Sequence, residues 1–135
     1  MAMKQTLYNK KWSEKQTKKG LCIWCKNKKL KHSNLCEKHY FIVIAQSTLG
    51  DRGMAEQIRE LYYLQDGKCY ITGEKLILGK NAGLDHLLPQ NKRPDLKNDI
   101  NNVRWVDKKI NEMKRDLTTT EFIDICKKIA KIHNK

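Results

Sequence analysis

Three cysteines and one histidine cluster early in the chain: Cys22-Ile23-Trp24-Cys25, ten intervening residues, then Cys36-Glu37-Lys38-His39. A C-x-x-C turn puts two thiolates at one corner, with backbone N–H groups turned toward the sulfurs. A C-x-x-H at the head of a helix supplies two more ligands. Four such ligands close a tetrahedron around zinc and leave no open position, so the chemistry expected of them is structural and not catalytic. The metal would hold the thiolates deprotonated. The segment is too short to bury a core, so the metal would supply folding free energy on the order of 10 kcal/mol gross. His32 is an alternative fourth ligand, but Cys36-x-x-His39 is the tighter pair.

A second constellation begins at Leu84-Asp85-His86-Leu87-Leu88-Pro89 and continues at Asn102 and Asn111. Adjacent residues on extended backbone point to opposite faces, so one can hold a cation while the other moves a proton beside it. Asn102-Val103-Arg104-Trp105-Val106 reads as a strand. Asp107 to Lys114 reads as a helix capped by Asp107 and carrying Asn111. The order is strand, Asp-His, irregular loop, strand, helix. Over roughly residues 60–116 this resembles the HNH, or ββα-metal (His-Me finger), nucleases, including their usual entry at Gly67-Lys68-Cys69-Tyr70-Ile71-Thr72-Gly73.

The resemblance implies roles. Asp85 and Asn111 would bind one divalent cation, Mg²⁺ or Mn²⁺, whose remaining positions go to water and phosphate. His86 would be the general base on water, a task for which an imidazole's ordinary pKa of ~6.5 is suited. Asn102 would pin the loop and so orient His86. Asn111 stands where some members have His, which bears on metal preference. Many members build a zinc from two cysteine pairs around this core. Thr72 stands three residues after Cys69, so the core is expected to hold by packing alone, with Cys69 and Cys126 as small buried residues. The finger pattern resembles small treble-clef or ribbon-type modules.

Several elements must position these groups. Residues 1–20 are Lys-rich, with Tyr8 and Trp12 as their only aromatics and no clear period, and read as a weakly ordered basic arm. Residues 36–48 read as a helix leading out of the finger. Ser47 to Gly53 breaks the pattern and is the expected boundary between modules. Met54, Ile58, Leu61 and Tyr62 give a helical face, and residues 68–78 a hairpin-like entry turning at Gly73. Thr118 and Glu121 match a capping box, and the helix after it, with Phe122, Ile125, Ile129 and Ile132 at helical spacing, is expected to pack on the core. The class expected is α+β: arm 1–20, Cys₃His module 21–48, nuclease domain 53–135.

Charge points the same way. The 135 residues carry a formal net charge of +13, and residues 1–40 hold eleven Lys against two Glu. Such a surplus suits a polyanion, here double-stranded DNA. Lys28, Lys29 and Lys31 form a basic fingertip. Arg93 and Arg104 are the first choices for phosphate near the cut, since a guanidinium makes bidentate contacts. No run approaches the ~20 apolar residues of a membrane span. An odd cysteine count in metal-like spacing fits a reducing, cytoplasmic setting. The reading that results is a metal-dependent DNA endonuclease; cutting both strands would need a homodimer or two events. Two others stand beside it: a non-catalytic nucleic-acid-binding protein that uses the core as scaffold, and a structure-specific or RNA-directed nuclease.

Overall fold

A computed structural model describes the backbone of residues 2–134 and the side chains of residues 9–134. Its elements run α1 (Ala2–Lys18), α2 (Glu37–Ile44), α3 (Ala55–Leu64), β1 (Ala82–His86), β2 (Val103–Asp107), α4 (Lys108–Lys114) and α5 (Thr119–His133). The class is α+β, with one two-stranded antiparallel sheet among the described residues.

The basic arm differs from its expectation, for α1 is a helix. It has no apolar stripe, and among its described side chains two, one turn apart, anchor it. Trp12 Nε1 donates to the Ile23 carbonyl at 3.1 Å. Gln16, buried, donates to the Cys22 and Cys25 carbonyls at 3.0 and 3.1 Å. Two donors aimed at one turn give the helix a partner that periodicity does not reveal. The side chain of Tyr8 lies outside the described residues.

Trp105, on β2, is the centre of the core. It is fully buried, and its indole N–H donates to the Ile58 carbonyl at 2.8 Å, as a buried indole requires. Phe41 and Tyr62 meet it edge-on at 5.7 and 5.8 Å between centroids. Gln65, just past α3, extends the sheet with its side chain. Its carbonyl accepts from Trp105 N–H at 2.8 Å, and its amide donates to Trp105 O at 2.9 Å. The buried cluster runs from Tyr40, Phe41, Ala45 and Leu49 through Ile58 to Leu84 and Val106. The stretch expected to separate two modules is therefore spanned by core. Ala45–Leu49 is a π turn, and Asp51 caps the next turn by accepting from Gly53 N–H.

The entry at residues 68–78 is a turn closed by one bridge, Lys68 to Lys75, and not a strand pair. Cys69 is buried there as expected, and its sulfur accepts the Asp107 N–H at 3.4 Å. The capping box at Thr118 and Glu121 forms. The helix behind it departs from expectation. Phe122 is buried, but Ile125, Ile129 and Ile132 are 42%, 56% and 73% exposed, and Cys126 is exposed too. After its first turns α5 leaves the core behind, so helical spacing was satisfied without a surface to meet it.

Candidate functional site

The C-x-x-C turn and the head of α2 bring four ligand atoms together. The donor atoms of Cys22, Cys25, Cys36 and His39 all lie within 4.8 Å of one another. Cys25 Sγ is 3.7 Å from Cys36 Sγ, and His39 Nδ1 is 3.5 and 3.2 Å from the sulfurs of Cys22 and Cys36. A tetrahedron with Zn–S of ~2.3 Å and Zn–N of ~2.0 Å has S···S edges of about 3.8 Å and S···N edges of about 3.5 Å, so the donor set fits such an ion. Backbone N–H groups of Trp24 and Asn27 donate to the sulfurs of Cys22 and Cys25, both at 3.4 Å. Burial opposes ionisation of Cys22, but the Cys36 and Trp24 N–H groups, with Cys25 and His39, pull its thiol down to about 6. His32 is not in the cluster. Its carbonyl instead rests against Gly79, where a Cβ would come within 2.4 Å of that oxygen.

The second site is at the end of β1. Cross-strand pairing sets Asp85 opposite Arg104 and His86 opposite Val103. Both Asp85 and His86 are buried, yet both reach a cleft of about 340 Å³ that is also lined by Pro89, Gln90, Asn91, Arg115 and Asp116. The irregular loop from Leu87 to Asn102 forms one wall. Asn102 holds it: Oδ1 accepts from Leu88 N–H at 2.9 Å, and Nδ2 donates to the Leu88 and Leu96 carbonyls at 3.1 and 3.3 Å. The loop so held presents the Lys97 carbonyl to His86 Nε2 at 2.9 Å. A carbonyl only accepts, so Nε2 must carry the proton. In the neutral ring the lone pair then belongs to Nδ1.

The helix α4 lies on the face of β1 that carries Gly83 and Asp85. Asn111 Nδ2 is 3.9 Å, and Lys108 Cγ 3.3 Å, from where a Cβ on Gly83 would stand. One turn past Asn111 comes Lys114, which sequence reading passed over. It is fully buried; its Nζ is 3.1 Å from Asp85 Oδ2 and donates to the His86 carbonyl at 2.9 Å. Burial pushes the Asp85 carboxyl above the usual range, and the Lys114 ammonium pulls the other way. The available signal was Asn111 and Lys114 at helical spacing on one face. For a divalent ion, Asp85 and Asn111 carry hard oxygens, but Asn111 sits beside Gly83 and is not among the residues that line the cleft, and Lys114 already holds Asp85 Oδ2. That donor set is sparse but of the right kind for Mg²⁺, which keeps water and phosphate in its shell.

The expected phosphate clamps are placed less simply. Arg93 is exposed, and its fork is filled by Asp95 at 3.0 and 2.9 Å. Arg104 donates to the Asn101 and Val103 carbonyls and lies over the Tyr70 ring, 5.4 Å from its centroid. Arg115, which the sequence reading did not single out, lines the cleft itself, at a φ of 47° just after α4. On the fingertip Lys28 and Lys31 are exposed, while Lys29 folds back to the Leu30 carbonyl at 3.3 Å.

Comparisons with protein-family models, with curated proteins and with solved structures found no match for this chain. What the chain does must therefore be argued from its own geometry. That geometry comprises a Cys₃His cluster able to hold a metal ion and, apart from it, a buried Asp-His pair at a cleft.

Proposed function

We propose that this chain is a metal-dependent endonuclease of the HNH (ββα-metal) type, with a structural zinc at Cys22, Cys25, Cys36 and His39. The observation that carries the reading is the orientation of His86. Asn102 clasps the loop, the loop carbonyl of Lys97 fixes the Nε2 proton, and the lone pair is left to Nδ1 on a ring that lines an open cleft together with Asp85 and Asp116.

Hydrolysis of a phosphodiester needs a deprotonated water, neutralisation of charge at phosphorus and stabilisation of the leaving oxygen. Asp85 and Asn111 would hold a Mg²⁺-type ion, which when bound supplies Lewis-acid stabilisation of the phosphate and leaving oxygen. His86 Nδ1 takes the proton from water. Asn102 keeps the ring in place by holding the loop. Arg115 at the cleft wall offers a guanidinium to the phosphate, and the basic fingertip and α1 add sequence-independent attraction to the backbone.

The test is cleavage of supercoiled plasmid, branched DNA and RNA, each with Mg²⁺ and with EDTA. Cutting of DNA that disappears in EDTA supports the reading, and the ratio of open circles to linear product separates nicking from double-strand cleavage. Preference for branched DNA or RNA would move the substrate class. Binding of all three without cutting, in Mg²⁺ and in Mn²⁺, would sink the enzyme reading in favour of a binding protein.

A further inference from the structure

Lys114 gives the Asp85 cleft an internal counter-ion. Its ammonium is enclosed, without contact with water, and is fixed by Asp85 Oδ2 and the His86 carbonyl. It cannot swing aside into solvent as a surface lysine can. The charged groups of the cleft are Asp85 and Asp116 on one side of the balance, Lys114 beneath it and Arg115 on its wall on the other. Two carboxylates meet two cations, so the cleft has no net negative charge. A hard dication needs anionic oxygen in its shell, commonly from one or two carboxylates and from substrate phosphates. Two carboxylates balanced by two cations, with Asp85 already held by an ammonium, supply too little. The missing charge is what a phosphodiester carries.

We propose, resting on the nuclease reading above, that the Asp85 cleft takes up its divalent cation only together with a nucleic-acid phosphate, and that Lys114 is the positioning residue that imposes this order. Lys114 replaces the cation as the partner of Asp85 while the cleft is empty of nucleic acid. It holds the carboxylate aimed and keeps adventitious metal out. A phosphate in the cleft would add the negative charge that a dication needs, and Asp85 would then serve as its carboxylate ligand. Because such coupling is reciprocal, the cation also raises the affinity for nucleic acid by the same factor.

The experiment counts bound Mn²⁺ by electron paramagnetic resonance of the free ion, using zinc-loaded full-length chain. Wild type, Lys114→Met and Asp85→Asn are compared with and without a short DNA duplex, and duplex alone is subtracted. Without DNA, wild type should bind no more Mn²⁺ than Asp85→Asn, whereas Lys114→Met should bind one ion at least about tenfold more tightly than wild type. With duplex, wild type should gain one ion over Asp85→Asn. One Mn²⁺ bound by wild type without DNA as tightly as by Lys114→Met overturns the proposal while leaving the nuclease reading standing. Equal uptake by wild type and Asp85→Asn in the presence of duplex instead removes the cation role of Asp85, and with it the reading beneath. Removing Lys114 leaves a buried carboxylate alone and could unfold the variant, which circular dichroism would reveal. The comparison of wild type with and without DNA then decides the matter: tight DNA-free binding overturns it, and DNA-dependent binding upholds it.

Discussion

Removing the Asn102 side chain should loosen the whole loop that orients His86. Asn102 is 5% exposed and makes three hydrogen bonds, to Leu88 N–H, Leu88 O and Leu96 O. Each is worth about 0.5–1.5 kcal/mol net, and the partners left behind are poorly placed to find water. Asn102→Ala should therefore cost about 2–4 kcal/mol, read as a shift of the urea midpoint at constant slope. Asn102→Asp separates chemistry from volume. It keeps the acceptor for Leu88 N–H but sets a second carboxylate oxygen against two carbonyl oxygens, so it should cost at least as much as alanine. The long-range ¹⁵N spectrum of His86 gives a second readout: wild type should be the neutral Nε2–H tautomer, and both variants should lose that bias. An Asn102→Asp protein within about 0.5 kcal/mol of wild type, with the His86 tautomer unchanged, would refute the account of the clasp.

Three further outcomes follow from the geometry. Only Cys126 is exposed among the five thiols, so zinc-loaded protein should show one fast-reacting cysteine, and a strong chelator should release three more while α1 loses its anchor on the Cys22–Cys25 turn. Gly79→Ala would drive a methyl to within 2.4 Å of the His32 carbonyl at a φ of +83°. It should destabilise the protein by about 2–4 kcal/mol in urea unfolding, from the clash and the left-handed backbone together. Arg115→Ala should weaken DNA binding by about tenfold or more at low salt, whereas Arg93→Ala should change it by less than about threefold, since the Arg93 fork is occupied by Asp95.

Much of the site was legible because its chemistry depends on residue type and spacing. Two cysteines three apart, followed by Cys and His three apart at a helix head, leave few ways to fold except around a shared centre, and the structure brings these four together. The caps at Asp107 and Thr118 were legible for the same reason, since a side-chain oxygen at a helix start has one nearby use. Other features depend on what lies across space. A helix such as α1 shows no apolar stripe, and among its described side chains the pairing of Trp12 and Gln16 with the finger explains its place. The Ile125, Ile129 and Ile132 stripe reads as a core face from sequence, yet nothing among the described residues packs over it. Lys114 was missed because a lysine in a basic chain carries no sign of burial. Its partner, Asp85, is 29 residues away in sequence and adjacent only through the packing of α4 on β1.

The most direct test of the central claim is the single-turnover rate of cleavage by His86→Ala beside wild type, at one Mg²⁺ concentration and with the fold verified by circular dichroism. A positioned general base contributes about 10²–10⁴-fold, so the variant should be slower by that factor with DNA affinity little changed. A variant that cuts within about threefold of wild type would contradict the account, because Nδ1 of His86 would then not be the base.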